Sequence, residues 1–319
     1  MKVIRIHEFG GAEVLKLEEI ERPVPAADEV LIKVYASGIN PVDWVVRNGH
    51  YATPISGLPA ILGWEVAGTV EETGSHVTQF KKGNAVYGHA NYPGGGCYAE
   101  FVAVKTAQLG FKPKNISFNE AGGMALAGLT AWSGIFHYGK LQAGQRILIN
   151  NASGGVGSLA LQFAKAKGAY VIGTSSSGNH DFLKQLGADE VIDYRTQKFE
   201  ELLQDIDVVF DASPVRGNDE ARLNSVKILK QGGILVSANP DFPYSDAVQK
   251  ALDAKGITAA LVQEREFDWL NDISALIEAG KVRVFISKTY PLEQAAEAQR
   301  ESEAGHVRGK LVLEVRKEK

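Results

Sequence analysis

The chain has 319 residues, more than one hydrophobic core usually serves, so two domains are expected, with one large domain as the alternative. Its 34 Lys and Arg against 38 Asp and Glu give a net charge of −4, which excludes the broad cationic surface that nucleic acids or anionic lipids require. The single cysteine, Cys97, excludes an intramolecular disulfide and suits a reducing compartment. We find neither a signal-peptide core nor a membrane-length apolar stretch, so a cytoplasmic protein that binds no membrane is expected.

The first part of the chain reads as a mostly antiparallel, barrel-like domain. Short runs with β-branched residues, such as "EVLIKVYASGIN" (29–40) and "YAEFVAVK" (98–105), are punctuated by Gly, Pro and Asn. The stretch 119–139 is rich in small residues and predicts a helical linker.

From Arg146 onward, apolar strands alternate with amphipathic helices, which predicts a doubly wound parallel sheet with strand order 3-2-1-4-5-6. Ligands of such a sheet bind where the first strand ends, here from Asn150 onward. The tail does not extend this series and is expected to return to the first domain. The six predicted strands are 146–150, 170–174, 190–194, 207–213, 234–239 and 257–262.

A glycine-rich segment, "ASGGVG" (152–157), follows the first of these strands and begins a helix. Ala152, Gly154 and Gly157 occupy the three small-residue positions of the dinucleotide fingerprint, although strict G-x-G-x-x-G has glycine first. The segment therefore predicts a diphosphate site at a helix N-terminus, and a simple tight turn is the alternative. The lysine of a nucleoside-triphosphate loop is absent.

The end of the second strand predicts NADP rather than NAD. An NAD site places an acidic residue about 20 residues after the glycines. This chain instead has Thr174, Ser175, Ser176 and Asn179, which can donate to a 2′-phosphate, while Tyr194 and Lys184 could supplement them. A capped turn is the alternative reading of the serines, and no arginine stands beside them in the sequence.

The ordered motifs "VYASGINPVDWVVRNGHY", "LPAILGWEVAGTV", "AGLTAW", "LGADEVIDY" and "GHVRGKLVLEV" resemble the zinc-independent quinone oxidoreductase branch, which includes ζ-crystallin, of the medium-chain dehydrogenase/reductase superfamily. The resemblance implies an α/β protein in which a Rossmann domain is joined to a chaperonin-10-like (GroES-like), mostly β catalytic domain. The implied boundaries are 1–122 for the catalytic domain, completed by 264–319, and 123–263 for the Rossmann NADP-binding domain. A homodimer is common in such proteins.

The zinc positions of the alcohol dehydrogenase branch are not retained. Asn40 stands where that branch has a cysteine and Trp64 where it has a histidine, and neither is a competent zinc ligand. No metal is therefore expected. The seven histidines are expected to be surface or loop residues, and Trp64 to narrow the substrate cleft or pack between domains.

Without a Lewis acid, the acceptor must already be electrophilic, which favours a quinone or an α,β-unsaturated carbonyl reduced by hydride from NADPH. The resemblance implies that Tyr51, Asn40 and Asp43 are catalytic. Tyr51 is alternatively an aromatic lid, and Asn40 and Asp43 alternatively satisfy turn and helix-start backbone. A non-catalytic nucleotide-binding protein is the competing functional hypothesis, and retention of these three residues favours the enzyme.

The resemblance implies further cofactor contacts from three parts of the chain. Thr130 is expected near the nicotinamide, and Arg308 and Lys310 of the tail at the cofactor phosphates, although exposed cations near a terminus are also common. The contacts expected from the Rossmann domain are Ser153, Gly154, Gly155 and Val156 at the diphosphate, and Ala212, Ser213, Ser237, Asn239, Leu261 and Val262 at the later strand ends.

Overall fold

The computed structural model describes residues 1–50, 55, 57–90, 95–213, 218–238, 244–263 and 266–318. Within these ranges, no helix has both the length and the apolar composition needed to cross a membrane. The chain divides into two compact units, whose boundaries fall after residues 127, 265, 280 and 283. Unit 1 comprises Met1–Ala127, Glu266–Gly280 and Val284–Lys319, and unit 2 comprises Gly128–Arg265 and Lys281–Arg283.

Unit 1 is built on a largely antiparallel seven-stranded sheet with strand order β15-β16-β3-β5-β6-β8, to which β7 adds by pairing with β3. A second sheet has the order β2-β1-β4. Because both faces of β3 are covered, Val30, Leu31 and Ile32 are all fully buried. The strands are β1 Lys2–Ile6, β2 Lys16–Glu19, β3 Glu29–Ile39, β4 Ala60–Ile61, β5 Glu65–Thr73, β6 Ala85–His89, β7 Phe101–Lys105, β8 Leu109–Phe111, β15 Ile286–Pro291 and β16 Lys310–Glu314.

Helices of unit 1 are short and lie between or after these strands. They are α1 Pro41–Arg47, α2 Phe118–Gly122, α9 Trp269–Glu278 and α10 Ala295–Ala304. Helix α3, Ala125–Trp132, contains the unit boundary and continues into a π-helical segment, Ser133–Tyr138. The predicted helical linker 119–139 is thus a series of separate helical segments.

Unit 2 is a parallel sheet with strand order β11-β10-β9-β12-β13-β14, which is the predicted order 3-2-1-4-5-6. The central strand is apolar without alternation, and Ile147, Leu148 and Ile149 are all fully buried, as expected when helices cover both faces. The strands are β9 Arg146–Asn150, β10 Tyr170–Ser175, β11 Glu190–Asp193, β12 Ile206–Asp211, β13 Leu229–Ser237 and β14 Thr258–Leu261.

The crossover helices of unit 2 leave the carboxyl ends of β9, β10 and β12 at one edge of the sheet. Helix α4 ends with Gly168 in the left-handed conformation, φ 88°, with Lys165 and Lys167 in its last turn. The helices are α4 Gly155–Lys167, α5 His180–Gln185, α6 Phe199–Leu202, α7 Asp219–Ile228 and α8 Asp246–Ala254.

Candidate active site

The turn between β9 and α4 presents backbone amides at the edge of the parallel sheet. Asn151 adopts φ 54°, and its carbonyl accepts a hydrogen bond from the Gly154 amide at 3.1 Å. The first helical bond of α4 runs from Ser158 N to Gly154 O, so the amides of residues 155–157 have no partner within the helix. Gly155 and Val156 are half-buried. These amides form the start of an anion site.

Gly154 and Gly157 are required at this turn for different reasons. A Cβ on Gly157 would lie 2.2 Å from the Asn151 carbonyl oxygen, so only glycine lets α4 start this close to β9. A Cβ on Gly154 would meet the Asn151 side-chain Nδ2 at 2.9 Å, the atom that bonds the Ala212 carbonyl. Gly157 thus has the helix-packing role of a fingerprint glycine, and the turn with its free amides fits the diphosphate of a nicotinamide dinucleotide.

Several predicted cofactor residues are joined by hydrogen bonds beside this turn. The Asn179 amide donates to the hydroxyl oxygens of Ser153 at 3.2 Å and of Ser176 at 3.3 Å. Thr174 Oγ donates to Asn150 Oδ1 at 3.2 Å and accepts from the Asn151 amide at 3.3 Å. The structure thus connects the glycine turn to the end of β10.

The remaining strand-end residues lie along the same edge of the sheet. Asn151 Nδ2 donates to the Ala212 carbonyl at 3.1 Å, which ties the glycine turn to the end of β12. The Ser213 amide donates to Asp211, and the Val262 amide donates to the Ser237 carbonyl at 2.9 Å. Leu261 is the last residue of β14, Thr130 lies in α3 and is 6% exposed, and Asn239 lies outside the described residues.

In unit 1, Asn40 and Asp43 lie at the start of α1. The Asp43 carboxylate accepts from the Asn40 backbone amide at 2.6 Å, which is one half of a capping box. The same oxygen, Oδ2, accepts from the Tyr98 hydroxyl at 2.6 Å. Asp43 therefore has the helix-start role raised as its alternative, whereas the Asn40 side chain bonds other side chains and not turn backbone. Tyr51 lies outside the described residues.

A buried ion pair surrounds the Asn40 side chain. Lys310 Nζ lies 2.8 Å from Glu65 Oε1, and their side chains are 7% and 0% exposed. Asn40 donates through Nδ2 to Glu65 at 2.8 Å, and its Oδ1 accepts from Lys310, whose ammonium also donates to the Ile39 carbonyl. The second Glu65 oxygen accepts from the Leu126 amide. The Lys310 ammonium, predicted to reach the cofactor phosphates, is instead engaged inside unit 1, whereas Arg308 is half-buried.

Electrostatics at Asp43 differ from those of an ordinary carboxylate. Complete burial raises the pKa of Asp43 to about 7, against the opposing effects of the bonds from Tyr98 and Asn40 and the charge of Lys310. Its Oδ1 atom is buried and has no hydrogen-bond partner within the described ranges. Burial also raises the pKa of Tyr98 well above its usual value. The site therefore holds a carboxyl group that changes charge near neutral pH.

We expect replacement of Asp43 by asparagine to alter the pH dependence of stability. The folded state keeps the carboxyl proton up to about pH 7, and the unfolded chain releases it near 3.8, so the wild type loses stability as pH rises through that window. Each pH unit corresponds to about 1.4 kcal/mol, which the variant does not lose. Urea unfolding at pH 5 and pH 8 measures this difference. Parallel pH profiles would show that Asp43 is ionised throughout.

Trp64 differs from both roles predicted for it. The side chain is 1% exposed and belongs to the hydrophobic core of unit 1, where it packs with residues such as Ile4, Ile6 and Tyr98. Both predictions for Trp64 were wrong, because its place in the sequence does not reveal the residues that it packs against in the core of unit 1. His89 is likewise a correction to the expected surface placement, since it ends β6 and is 3% exposed.

The described residues hold no cluster of three or more His, Cys, Asp or Glu side chains arranged to bind a metal ion. Sequence reasoning missed one organising residue in each unit, Glu65 in unit 1 and Asn151 in unit 2. Glu65 directly follows Trp64, and an acid at the start of an apolar strand is the only signal for it. Asn151 connects the glycine turn to the ends of β10 and β12. The available signal was an Asn immediately after a strand, because Asn tolerates positive φ.

Comparisons with known proteins agree on one family. The chain matches the family described as "Alcohol dehydrogenase GroES-like domain" over residues 26–114 and "Zinc-binding dehydrogenase" over residues 186–313. It is 34% identical to the quinone oxidoreductase of Mus musculus, with 98% of this chain and 97% of the mouse protein covered. It is 36% identical to the chloroplastic NADPH-dependent alkenal/one oxidoreductase of Arabidopsis thaliana, covering 98% of this chain and 79% of that protein.

Among solved structures, the Escherichia coli quinone oxidoreductase complexed with NADPH superimposes with a TM-score of 0.87. It is 29% identical, and the match covers 98% of this chain and 99% of that one. The chain belongs to the quinone oxidoreductase branch of the medium-chain dehydrogenase/reductase superfamily. It is an oxidoreductase that uses a nicotinamide cofactor.

Proposed function

We propose that this enzyme transfers hydride from NADPH to quinones or α,β-unsaturated carbonyls without a metal ion. The observation that carries the proposal is the glycine turn, where the amides of residues 155–157 lack helical partners and Gly157 leaves no room for a Cβ. Two relatives named as a quinone oxidoreductase and an NADPH-dependent alkenal/one oxidoreductase support the substrate class.

The preference for NADPH rests on the end of β10. Ser175 and Ser176 stand where an NAD site would carry a carboxylate, so nothing in that strand repels a 2′-phosphate. The Ser176 hydroxyl is already positioned by its bond from Asn179. The NADPH named for the Arabidopsis relative and present in the Escherichia coli structure supports the same cofactor.

The chemistry divides between cofactor and chain. When bound, the nicotinamide supplies the hydride, and the chain orients the acceptor and stabilises the negative charge that develops on its oxygen. Asn40 is held by Glu65 and Lys310, and the second N–H of its amide bonds no described residue. We assign that N–H to the acceptor oxygen. Tyr51, which lies outside the described residues, is proposed either to bond the cofactor or to donate a proton to the developing enolate.

The side chains of the buried cluster formed by Asn40, Glu65 and Lys310 support metal-free chemistry. Both oxygen-bearing side chains there, Asn40 and Glu65, bond the Lys310 ammonium, so a positive charge of the chain occupies the position beside them. Trp64 is sealed in the core and offers no ligand atom. The developing negative charge on an activated acceptor can therefore be stabilised by hydrogen bonding near a fixed cation.

Oxidation of NADPH, followed at 340 nm against para-quinones, ortho-quinones and alkenals, tests the proposal. We expect turnover with at least one acceptor class, and we expect exhaustive chelation to leave the rate within about twofold, because no step needs a Lewis acid. A primary alcohol with NADP⁺ serves as the control and should not react. Tight NADPH binding without turnover would favour a non-catalytic module, and activity restored only by zinc would contradict metal-free catalysis.

Assembly and location stay predictions from the sequence. A homodimer is proposed from the family resemblance alone. A cytoplasmic location is proposed from the composition, although two relatives carry the names chloroplastic and mitochondrial.

A further inference from the structure

The end of β11 lies directly against the serine turn, defined here as residues 175–177. In the parallel pairing of β10 with β11, Ser175 is opposite Asp193. The Tyr194 amide lies 3.4 Å from the Ser175 carbonyl, and the Ser177 amide donates to Asp193 Oδ2 at 3.2 Å. Residues 193–195 therefore run beside the position proposed for the cofactor 2′-phosphate.

Asp193 joins the two segments without exposing its charge. One carboxylate oxygen accepts from the Ser177 amide and the other accepts from the Arg195 amide at 3.0 Å. These backbone donors, Arg195 foremost, lower the pKa of Asp193 below its usual value. The side chain is 7% exposed. Both carboxylate oxygens thus accept from backbone amides inside the junction, and little of the side chain reaches solvent.

Arg195 projects from the same junction and is exposed. Its guanidinium lies 5.8 Å from the centre of the Tyr194 ring, and Tyr194 is 57% exposed. Within the described part of the chain, Arg195 forms no ion pair with a carboxylate. Lys184 is the other candidate cation. It lies in the last turn of α5, whereas the first turn of that helix is the part that follows the serine turn in sequence. Arg195 is the cation whose backbone is bonded into the junction.

We propose that Arg195 is the residue that distinguishes NADPH from NADH, by binding the 2′-phosphate at the serine turn. The inference rests on the proposed use of NADPH. A guanidinium matches a phosphate with two parallel hydrogen bonds, and the face of the Tyr194 ring, 5.8 Å from the guanidinium, attracts its positive charge. Asn179 is uncharged and uses its amide on Ser153 and Ser176, so the positive charge comes from Arg195, two residues after the end of β11. In sequence, Arg195 is far from the serines, and only the strand pairing brings it beside them.

Binding calorimetry with NADP⁺, NAD⁺ and 2′,5′-ADP tests this assignment in the wild type, Arg195→Gln, Arg195→Lys and Lys198→Gln. We expect Arg195→Gln to weaken NADP⁺ and 2′,5′-ADP binding by about tenfold or more, the size of a lost charge-assisted hydrogen bond, with NAD⁺ binding within about twofold. Arg195→Lys should recover part of the loss. Lys198 is the matched control, because it is exposed, nearby and paired only with Glu201 at 3.3 Å among the described residues.

The outcomes separate this inference from the proposed function. If Arg195→Gln weakens NADP⁺ and NAD⁺ equally, or no more than Lys198→Gln does, the assignment of Arg195 is overturned while NADPH use stands. If the wild type binds neither dinucleotide, both are overturned. The unfolding midpoint of Arg195→Gln should match that of the wild type, so that a change in the NADP⁺ to NAD⁺ affinity ratio reports the phosphate contact.

Discussion

Replacing Gly157 with alanine is expected to lower the free energy of unfolding by about 2 to 4 kcal/mol, at or above the usual cost of overpacking. The new Cβ would lie 2.2 Å from Asn151 O and 2.8 Å from Ala152 Cα, and both neighbours are backbone atoms that cannot rotate away. Helix α4 must then retreat from β9 and take the amides of residues 155–157 with it. The displaced amides should bind the diphosphate less tightly. We expect NADPH affinity to fall by about 100-fold, which corresponds to about 2.8 kcal/mol of binding free energy.

The matched comparison is Gly154→Ala. There the nearest atom is the Asn151 side-chain Nδ2 at 2.9 Å, which can rotate away at the cost of its hydrogen bond to the Ala212 carbonyl, about 1 kcal/mol. We expect a smaller loss of stability than in Gly157→Ala, about 1 kcal/mol, and weaker NADPH binding because the methyl group crowds the turn that presents the amides. Urea unfolding and calorimetry on both variants measure the contrast. Equal stability of the two variants, or NADPH binding retained by Gly157→Ala, would contradict the geometry of the turn.

Lys310→Met is expected to lower the free energy of unfolding by about 3 to 5 kcal/mol, because it leaves the buried Glu65 carboxylate without its counter-charge. Among the described residues, the Glu65 carboxylate would keep the amides of Asn40 and Leu126 as its donors. Asn40 would also lose the cation that fixes its Oδ1. The hydrogen-bonding position proposed for the acceptor oxygen should therefore loosen, and turnover should fall with stability.

A double-mutant cycle with Glu65→Gln identifies the source of this loss. The variant Glu65→Gln/Lys310→Met removes both charges, so it should recover most of the stability that Lys310→Met loses. Urea unfolding of the four proteins measures the coupling. The opposite role, a phosphate contact, would appear as unchanged stability of Lys310→Met with a raised KM for NADPH. That result would show that the buried ion pair contributes little.

Much of the fold could be predicted because the parallel sheet depends on a local pattern. Apolar runs bounded by Gly, Asn and Asp placed the strands of unit 2 and their order, which the structure confirms. The predicted fifth strand, 234–239, began too late, because β13 starts at Leu229. A register shift between the Ile206 and Val208 pairings accommodates Gly232 and Gly233, and a double glycine inside a strand cannot be told from a turn by pattern alone.

The site was less predictable, since much of it depends on contacts distant in sequence. Lys310 meets Glu65 across 245 positions, and no local spacing reveals that an exposed-looking terminal cation is buried. Asn40 and Asp43 were found through motif resemblance, but their bonds to Glu65 and Tyr98 needed the tertiary structure. Arg195 was overlooked for the same reason, because β11 pairs with β10 only in the folded sheet.

A crystal structure of the wild-type enzyme grown with NADPH is the most direct measurement of the central claim. We predict that the cofactor diphosphate will lie within hydrogen-bonding distance of the amides at the start of α4, between Gly154 and Gly157. NADPH bound elsewhere, or the glycine turn closed by neighbouring side chains in crystals that contain NADPH, would contradict it.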